Sequence, residues 1–572
     1  MKSDLIFKKN LMIKFENSNQ AFRNIGYLIV LCFLLVLNGA GCDSANEMQT
    51  NLTTERPNII VMYSDDHTAQ AVGAYQGVLN YGLQLDHTPT PNIDRLAEEG
   101  MRFDNAFVTN SICVPSRAVM LSGLHSHISG VFTNMEPMPT DLETFPVILQ
   151  QNGYQTAMIG KWHLQTEPQG FDYYEVLYGQ GPYYNPTMRT PYGDVEHHGH
   201  TTGIITDIAL KWLRLERDRD KPFMMIYNHK APHREWLPGP ALNDYQDRDL
   251  PEPSTLFYDY LGLTTAAHEQ DMEISELGGP QSMNWGRDLK VPLHPETGEP
   301  NPGWESLVNG NRLTDEQLER IEQAYAADNQ YLYDNYADWS EEERTRWRYQ
   351  RYVKDYLRVV REVDDEVGRV MAYLERENLK DNTIVIYAGD QGFFLGEKGW
   401  FDKRWIYEES FRMPLIVHWP EGIDPGSVSE HLVQNLDFAP TVLELAGVDI
   451  PDRLQGRSMV PLFRGEQPND WRDAVYYHYY EGPEVERGWH AVARHYGLRT
   501  DRYTLAHFPD HDEWELFDLE SDPEQLTSVY DEAEYADIQQ QLKEKLDELQ
   551  EKYEDDTWSY ITPGVPFHGF DR

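Results

Sequence analysis

Cysteine is nearly absent: the 572 residues hold only Cys32, Cys42 and Cys113. That excludes a disulfide framework and any site built from four thiolates. Basic side chains are also scarce, 49 Lys and Arg against 95 Asp and Glu, for a formal net charge of −46. The imbalance argues against nucleic-acid binding, and an anionic ligand would need a locally basic pocket. No low-complexity tract or internal repeat interrupts the chain, so nothing argues against a folded globular protein. The one long apolar run, Ile25 to Leu37, is too short for a comfortable membrane span.

What is present begins with that run. Lys2, Lys8, Lys9, Lys14 and Arg23 precede it, and the small residues Asn38-Gly39-Ala40-Gly41 follow. The pattern predicts a secretion signal over 1–41 and a polar linker over 42–55. Cys42 after Gly41 resembles a bacterial lipoprotein cleavage site, whose cysteine carries lipid; plain signal cleavage is the alternative. The protein is thus expected to be exported, to the periplasm or as a cell-envelope lipoprotein, meeting membrane only through such an anchor. Once the signal is removed, Cys113 is the lone thiol of the body. In an exported protein such a cysteine reads as reactive or modified, with a buried inert thiol as the alternative.

Hydrophobic residues make up 40% and aromatics 12%, and the length suits roughly three or four average domains or a large α/β domain with a smaller one. Cys113 lies in SICVPSRAVMLSG, Ser111 to Gly123, where Pro115 suits a first helical turn and Gly123 a stop. A helix N-terminus with Arg117 in its first turn attracts an anion.

Four apolar runs read as buried parallel strands, each followed at once by polar residues. Asn58 to Tyr63 leads to Asp65, Asp66 and His67, Tyr154 to Ile159 to Lys161 and His163, Pro222 to Tyr227 to His229, Lys230 and His233, and Thr383 to Ala388 to Asp390 and Gln391. Ligands of open α/β sheets bind at the carboxyl ends of strands, so these groups converge on one edge. Oxygen donors from Asp65, Asp66, Asp390 and Gln391 suit Ca²⁺ or Mg²⁺ better than zinc. The fold class is therefore α/β, a large mostly parallel sheet sandwiched by helices over 56–468. A smaller C-terminal antiparallel sheet plus helix is expected over 469–572. Residues 235–338, rich in Pro, Gly and acids, read as an elaborated loop insertion shaping access to the site. Two clusters read as structural: His197-His198-Gly199-His200 as loop surface or substrate rim, and Asp364-Asp365 as the solvated face of a helix opened by Ser340-x-x-Glu343.

Taken together, these residues resemble the type I, formylglycine-dependent sulfatases of the alkaline phosphatase superfamily, from about Arg56 to Leu526. Cys113-Val114-Pro115-Ser116-Arg117 with Leu121-Ser122-Gly123 is similar to the C-x-P-S-R signature, Ser122 standing where many members have threonine. PNIIVMYSDD before it, and GKWHL, APH, GDQG and Lys403-x-x-x-Tyr407-Glu408 after it, stand in the family's order. The resemblance implies an alkaline phosphatase-like fold and oxidation of Cys113 to formylglycine (3-oxoalanine) by a formylglycine-generating enzyme. It also implies one Ca²⁺, with Mg²⁺ second, on Asp65, Asp66, Asp390, Gln391 and the modified Cys113, Gln391 replacing the more usual asparagine or histidine. Arg117 and Lys161 would stabilise the alkoxide, and Lys161 and Lys403 would bind substrate. His163 would take a proton from the aldehyde hydrate, His233 would bind sulfate or protonate the leaving alcohol, and His67 would touch substrate. The implied activity is hydrolysis of sulfate esters on a carbohydrate such as ulvan or a glycosaminoglycan. The alternatives are a phosphodiesterase or phosphonate monoester hydrolase of the same superfamily, and a lipoprotein that binds sulfated glycan without turnover.

Overall fold

In the computed structural model, residues 56–85, 88–277, 284–482 and 492–557 are described; the expected signal, linker and Cys42 lie outside them. A ten-stranded sheet carries the site. Its strands are β1 (Asn58–Ser64), β2 (Met101–Phe103), β3 (Gln155–Lys161), β4 (Tyr173–Leu177), β5 (Thr187–Thr190), β6 (Gly193–Glu196), β7 (Phe223–His229), β8 (Thr383–Gly389), β9 (Leu415–His418) and β10 (Ser427–Ser429). Their order is β10-β2-β9-β8-β1-β7-β3-β4-β5-β6. The central strands β8, β1, β7, β3 and β4 run parallel, while β9, β5 and β6 pair antiparallel to their neighbours.

β1 is buried along its whole length because both sheet faces are covered. Ile60 and Met62 pack with Val353, Val360 and Val367, and Ile59, Val61 and Tyr63 pack on the opposite face with Val114 and Ala118. Register aligns the strand ends: Ser64 stands beside His229 and Gly389, and Gly160 beside Asn228. Gly160 has φ +98°, and a Cβ there would collide with the Asn228 carbonyl, so β3 can end beside β7 only with glycine at this place.

The helices that matter here are α1 (Pro91–Glu99), α2 (Cys113–Ser122), α3 (Pro302–Gly310), α4 (Asp315–Asn335), α5 (Glu341–Arg376) and α6 (Ala536–Tyr553). α2 begins at Cys113 and stops at Gly123, whose φ of 67° closes the last turn through a 2.8 Å bond to Val119 O. α5 opens on the expected capping box, Glu343 N to Ser340 Oγ at 3.3 Å and Ser340 N to Glu343 Oε2 at 2.7 Å.

Two expectations need correction. Asp364 is not solvated: it is buried and accepts from Asn92 N at 2.9 Å and Ile93 N at 2.8 Å, capping the free amides at the start of α1, while Asp365 is exposed. The insertion is not only loop: α3 is capped by Asn301 and α4 by a Thr314–Gln317 capping box, with Ile321, Tyr325, Asn329 and Leu332 turned inward.

At the C-terminal end β11 (Ala474–Tyr479), β12 (His495–Thr500), β13 (Tyr503–Phe508) and β14 (Glu513–Asp518) form a four-stranded antiparallel sheet in chain order. α6 lays Leu542, Leu546 and Leu549 on Leu498, Leu505 and Leu516. β12 and β13 pair antiparallel across a tight turn at Asp501-Arg502. β11 reaches the site, since Ser111 N donates to Tyr477 OH at 3.3 Å.

Candidate active site

The carboxyl ends of β1 and β8 bring Asp65, Asp66 and Asp390 together, one oxygen of each within 4.8 Å of the others, all buried. Asp66 adopts φ 63°, which turns its amide onto Asp390 Oδ1 at 2.9 Å, and Tyr356 OH holds the Asp66 carbonyl at 2.6 Å. Burial and then Asp65 push the Asp390 carboxyl well above the usual range, and burial lifts Asp66 to about 6 against the pull of Lys403. For Asp65 burial acts in the same direction but is overcome, first by Lys161, so its carboxyl lies well below the usual range. Asp65 Oδ1 and Gln391 Oε1 are buried and make no hydrogen bond, Gln391 having spent its amide on Asp66 Oδ1. Crowded acid oxygens with unspent lone pairs fit a hard divalent cation.

Three cations pair with these acids. Arg117 donates from Nε and Nη2 to Asp390 Oδ2 at 3.1 and 2.9 Å and from Nη1 to Lys161 O at 3.1 Å, with Asp65 Oδ1 3.4 Å away. Lys161 Nζ donates to Asp65 Oδ2 and Gln180 Oε1. Lys403 Nζ donates to Asp66 Oδ1 and lies 3.4 Å from Cys113 Sγ. A two-residue ladder, Phe394–Leu395 against Phe401–Asp402, delivers Lys403 to this place. Burial would lower the Lys403 ammonium, but Asp66 holds it well above the usual range.

Cys113 is fully buried, and burial with Asp65 behind it pushes the thiol up, so an unmodified Cys113 is a neutral, weak nucleophile. The anion-attracting helix start is less open than its sequence suggests. Val114 N donates to Asn134 Oδ1 at 3.0 Å, Pro115 has no amide hydrogen, and Ser116 N is spent on Ile112 O at 3.0 Å. Lys403 is the cation hydrogen-bonded to Cys113, while Arg117 braces the acids.

Of the histidines, His233 donates from Nδ1 to Arg234 O at 2.7 Å and holds Nε2 3.8 Å from Asp66 Oδ2. Burial, with Lys161 among the opposing charges, presses it well below the usual range. His163 follows β3 at φ 61°; its buried Nδ1 has no hydrogen bond, and burial, then Lys161, keeps the ring neutral. His67 is fully buried on Tyr387 OH at 2.5 Å, and burial takes it to about 3. His197, His198 and His200 do not converge: His197 Nε2 lies 2.6 Å from Glu175 Oε1, and His200 Nε2 donates to Leu237 O at 3.0 Å.

Sequence reasoning missed several contributors. Gln180 sits in a loop that no motif marks. Asn228, which donates to Lys161 O at 3.0 Å, follows an apolar run just as the recognised groups do. Ser116 lies inside the signature stretch and donates to the Asp390 carbonyl, while Asn435 Nδ2 donates to its Oγ at 3.0 Å.

Residues 57–448 match the family model described as Sulfatase, and 396–552 the model described as N-sulphoglucosamine sulphohydrolase, C-terminal. An N-acetylglucosamine-6-O-sulfatase of Bacteroides thetaiotaomicron is 44% identical over 529 residues, 91% of this chain and 90% of that one. A human N-acetylglucosamine-6-sulfatase is 26% identical over 74% of this chain and 68% of its own. A solved structure holding its substrate D-glucosamine-2-N,6-O-disulfate superposes with a TM-score of 0.81 at 44% identity, covering 88% of this chain and 99% of that one. With that family match over most of its length and a fold shared with these enzymes, the chain belongs to the sulfatase family and is a sulfuric ester hydrolase.

Proposed function

We propose that this sulfatase removes the 6-O-sulfate of glucosamine units released from a glycosaminoglycan, as an exported, formylglycine- and calcium-dependent enzyme. The observation that carries the substrate is the 44% identity to an N-acetylglucosamine-6-O-sulfatase, sustained over 91% of this chain.

The donor set supports calcium on Asp65, Asp66, Asp390 and Gln391, because all four offer hard oxygen and two of those atoms are unspent. When bound, such an ion supplies Lewis-acid polarisation of a sulfate oxygen. Formylglycine at Cys113, made by a formylglycine-generating enzyme, supplies a hydroxyl nucleophile in its hydrate and a second hydroxyl through which sulfate can be expelled. The rest falls to the chain itself. Lys403 holds negative charge at the Cys113 position, and Lys161 and Lys403 bind sulfate oxygens in a site shut off from water. Neutral His163 accepts a proton at its free Nδ1. Nε2 of His233, bare in the neutral ring, takes up a proton when the charge of bound sulfate favours the imidazolium and passes it to the leaving sugar oxygen. Arg117 keeps Asp390, Asp65 and the end of β3 in place.

The test is sulfate release from N-acetylglucosamine-6-sulfate, glucosamine-2-N,6-O-disulfate, a 4-sulfated galactosamine, an ulvan oligosaccharide and an aryl phosphate. Highest kcat/KM on the two 6-sulfates is expected, and preference for any of the others overturns the reading. Mass spectrometry of the Cys113 peptide tests the modification, and labelling with a fatty acid tests a lipid on Cys42.

A further inference from the structure

Arg234 O is an acceptor only, so the 2.7 Å contact from His233 requires a hydrogen on Nδ1 in either ring state and leaves Nε2 to gain and lose the proton. The same carbonyl accepts from Lys230 Nζ at 2.9 Å. Lys230 Nζ rests over the Tyr183 ring, 4.7 Å from its centroid, and Tyr183 OH donates to the carbonyl of His233 itself at 2.6 Å. Tyr183 is held in turn from the insertion. Asn311, at the end of α3, accepts from Tyr183 N and Tyr184 N through Oδ1 at 2.7 and 3.1 Å and donates from Nδ2 to Glu235 Oε2 at 3.0 Å.

We infer that Tyr183, Lys230 and Asn311 form a clamp that sets the ring of His233, making the insertion a positioning element of the reaction. The inference rests on the reading of His233 as proton donor to the leaving oxygen. The carbonyls of His233 and Arg234 are both gripped, so the Nδ1 acceptor cannot turn away and Nε2 stays on the Asp66 side. All four side chains of the arrangement, His233 included, are buried. Burial presses Lys230 to about 8, a cost that a loop needing only packing would avoid with an apolar side chain. None of the three positioning side chains need touch substrate. They act by keeping the donor within the fraction of an ångström that proton transfer requires.

Leaving-group dependence tests this. A sugar 6-sulfate expels an alkoxide that must be protonated, whereas 4-nitrophenyl sulfate expels a stable phenolate. Lys230→Met and Tyr183→Phe are expected to lower kcat on the sugar ester about 10- to 100-fold, within the range general-acid catalysis supplies, with KM within about twofold. The ratio of sugar-ester to aryl-ester kcat should fall at least about tenfold, and Lys230→Arg, which keeps a donor, should recover part of it. Tyr183→Phe removes one hydroxyl and serves if Lys230→Met does not fold, as a melting curve will show. Equal losses on both esters, or a rise in KM at constant kcat, overturn the clamp. His233→Ala is the reference: selective loss on the sugar ester with unselective clamp variants refutes the clamp alone, and unselective loss from His233→Ala refutes the proton-donor reading beneath it.

Discussion

Lowering the pH from 8 to 5 is expected to cost the fold about 2 kcal/mol at His495 alone. This ring bridges the C-terminal sheet and the loop that carries Lys403: Nδ1 donates to Ala493 O at 2.8 Å, and Nε2 accepts from Ile406 N at 3.1 Å. Protonation would put a hydrogen on the accepting nitrogen and a charge in the core. Burial accordingly takes the group from 6.5 to about 3. Because the folded value is the depressed one, the stabilisation is complete above pH 6.5 and is lost as the pH falls toward 3. At about 1.4 kcal/mol per unit it amounts to roughly 5 kcal/mol across that window, of which about 2 is gone by pH 5. His67 and His229 are each pressed to about 3 by burial as well. His495 and His229, which stand apart from the acid cluster, together cost on the order of 4 kcal/mol at pH 5. Guanidinium unfolding at pH 8 and 5 measures this. His495→Gln keeps an amide donor and acceptor but cannot titrate, so its loss between the two pH values should be smaller by about 2 kcal/mol. Identical pH dependence in parent and variant, or a parent more stable at pH 5 than at pH 8, would refute the reasoning.

Lys403→Met removes the cation 3.4 Å from Cys113 Sγ and should lower kcat for sulfate release about 10²- to 10³-fold; a loss below tenfold counts against a role in holding charge there. Dialysis against EDTA should lower both activity and melting temperature, with Ca²⁺ restoring them better than Zn²⁺. At a hundred times its Kd the ion would return about 2.7 kcal/mol, and a melting temperature indifferent to chelator would exclude it from the acid cluster. Since the chain and a sulfated oligosaccharide are both anionic, with −46 on the protein, kcat/KM should rise with salt to about 0.15 M as the Debye length shrinks to about 8 Å, more steeply for a tetrasaccharide than a monosaccharide; a fall would show that a basic surface steers substrate instead.

The sheet was legible because strands buried on both faces must be apolar throughout, and polar residues then mark their ends, as Ser64-Asp65-Asp66 and Gly389-Asp390-Gln391 do. α2 was legible from Pro115 and Gly123, and α6 as a charged stretch at the end of the chain. α4 was not, because its buried stripe includes polar Asn329 and the rest is mostly acidic, although Thr314-x-x-Gln317 was a usable start signal. Asp364 could not be told from Asp365 by any local pattern, since what separates them is the start of α1, 272 positions away. The same limit hid the grip of Asn311 on Tyr183 and that of Gln180 on Lys161: each partner is an ordinary polar residue in a loop, given meaning only by the chain folding back upon it.

Buried acids and bases are matched at this site: Lys161 stands on Asp65, Lys403 on Asp66 and Arg117 on Asp390. That matching is how the chain tolerates them away from water, since an uncompensated buried charge costs several kcal/mol whereas a paired one need not. It also sets what the site can receive. The bases at least balance the acids of these pairs, since burial holds Asp390 and Asp66 above the usual carboxylate range, so a divalent cation on the carboxylates would leave a local excess of positive charge inside a chain whose net charge is −46. A sulfate monoester, with one negative charge spread over three oxygens, fits that excess, and both lysine amines already lie beside the oxygens such a cation would share. The pairing further implies strong non-additivity. Removing one acid strands its base in low dielectric, so single substitutions at Asp65, Asp66 or Asp390 disturb stability more than removal of a matched pair, for reasons that have nothing to do with catalysis. Activity lost in such single variants cannot be assigned to metal binding until the matched variant, Asp65→Asn with Lys161→Met, has been measured beside it.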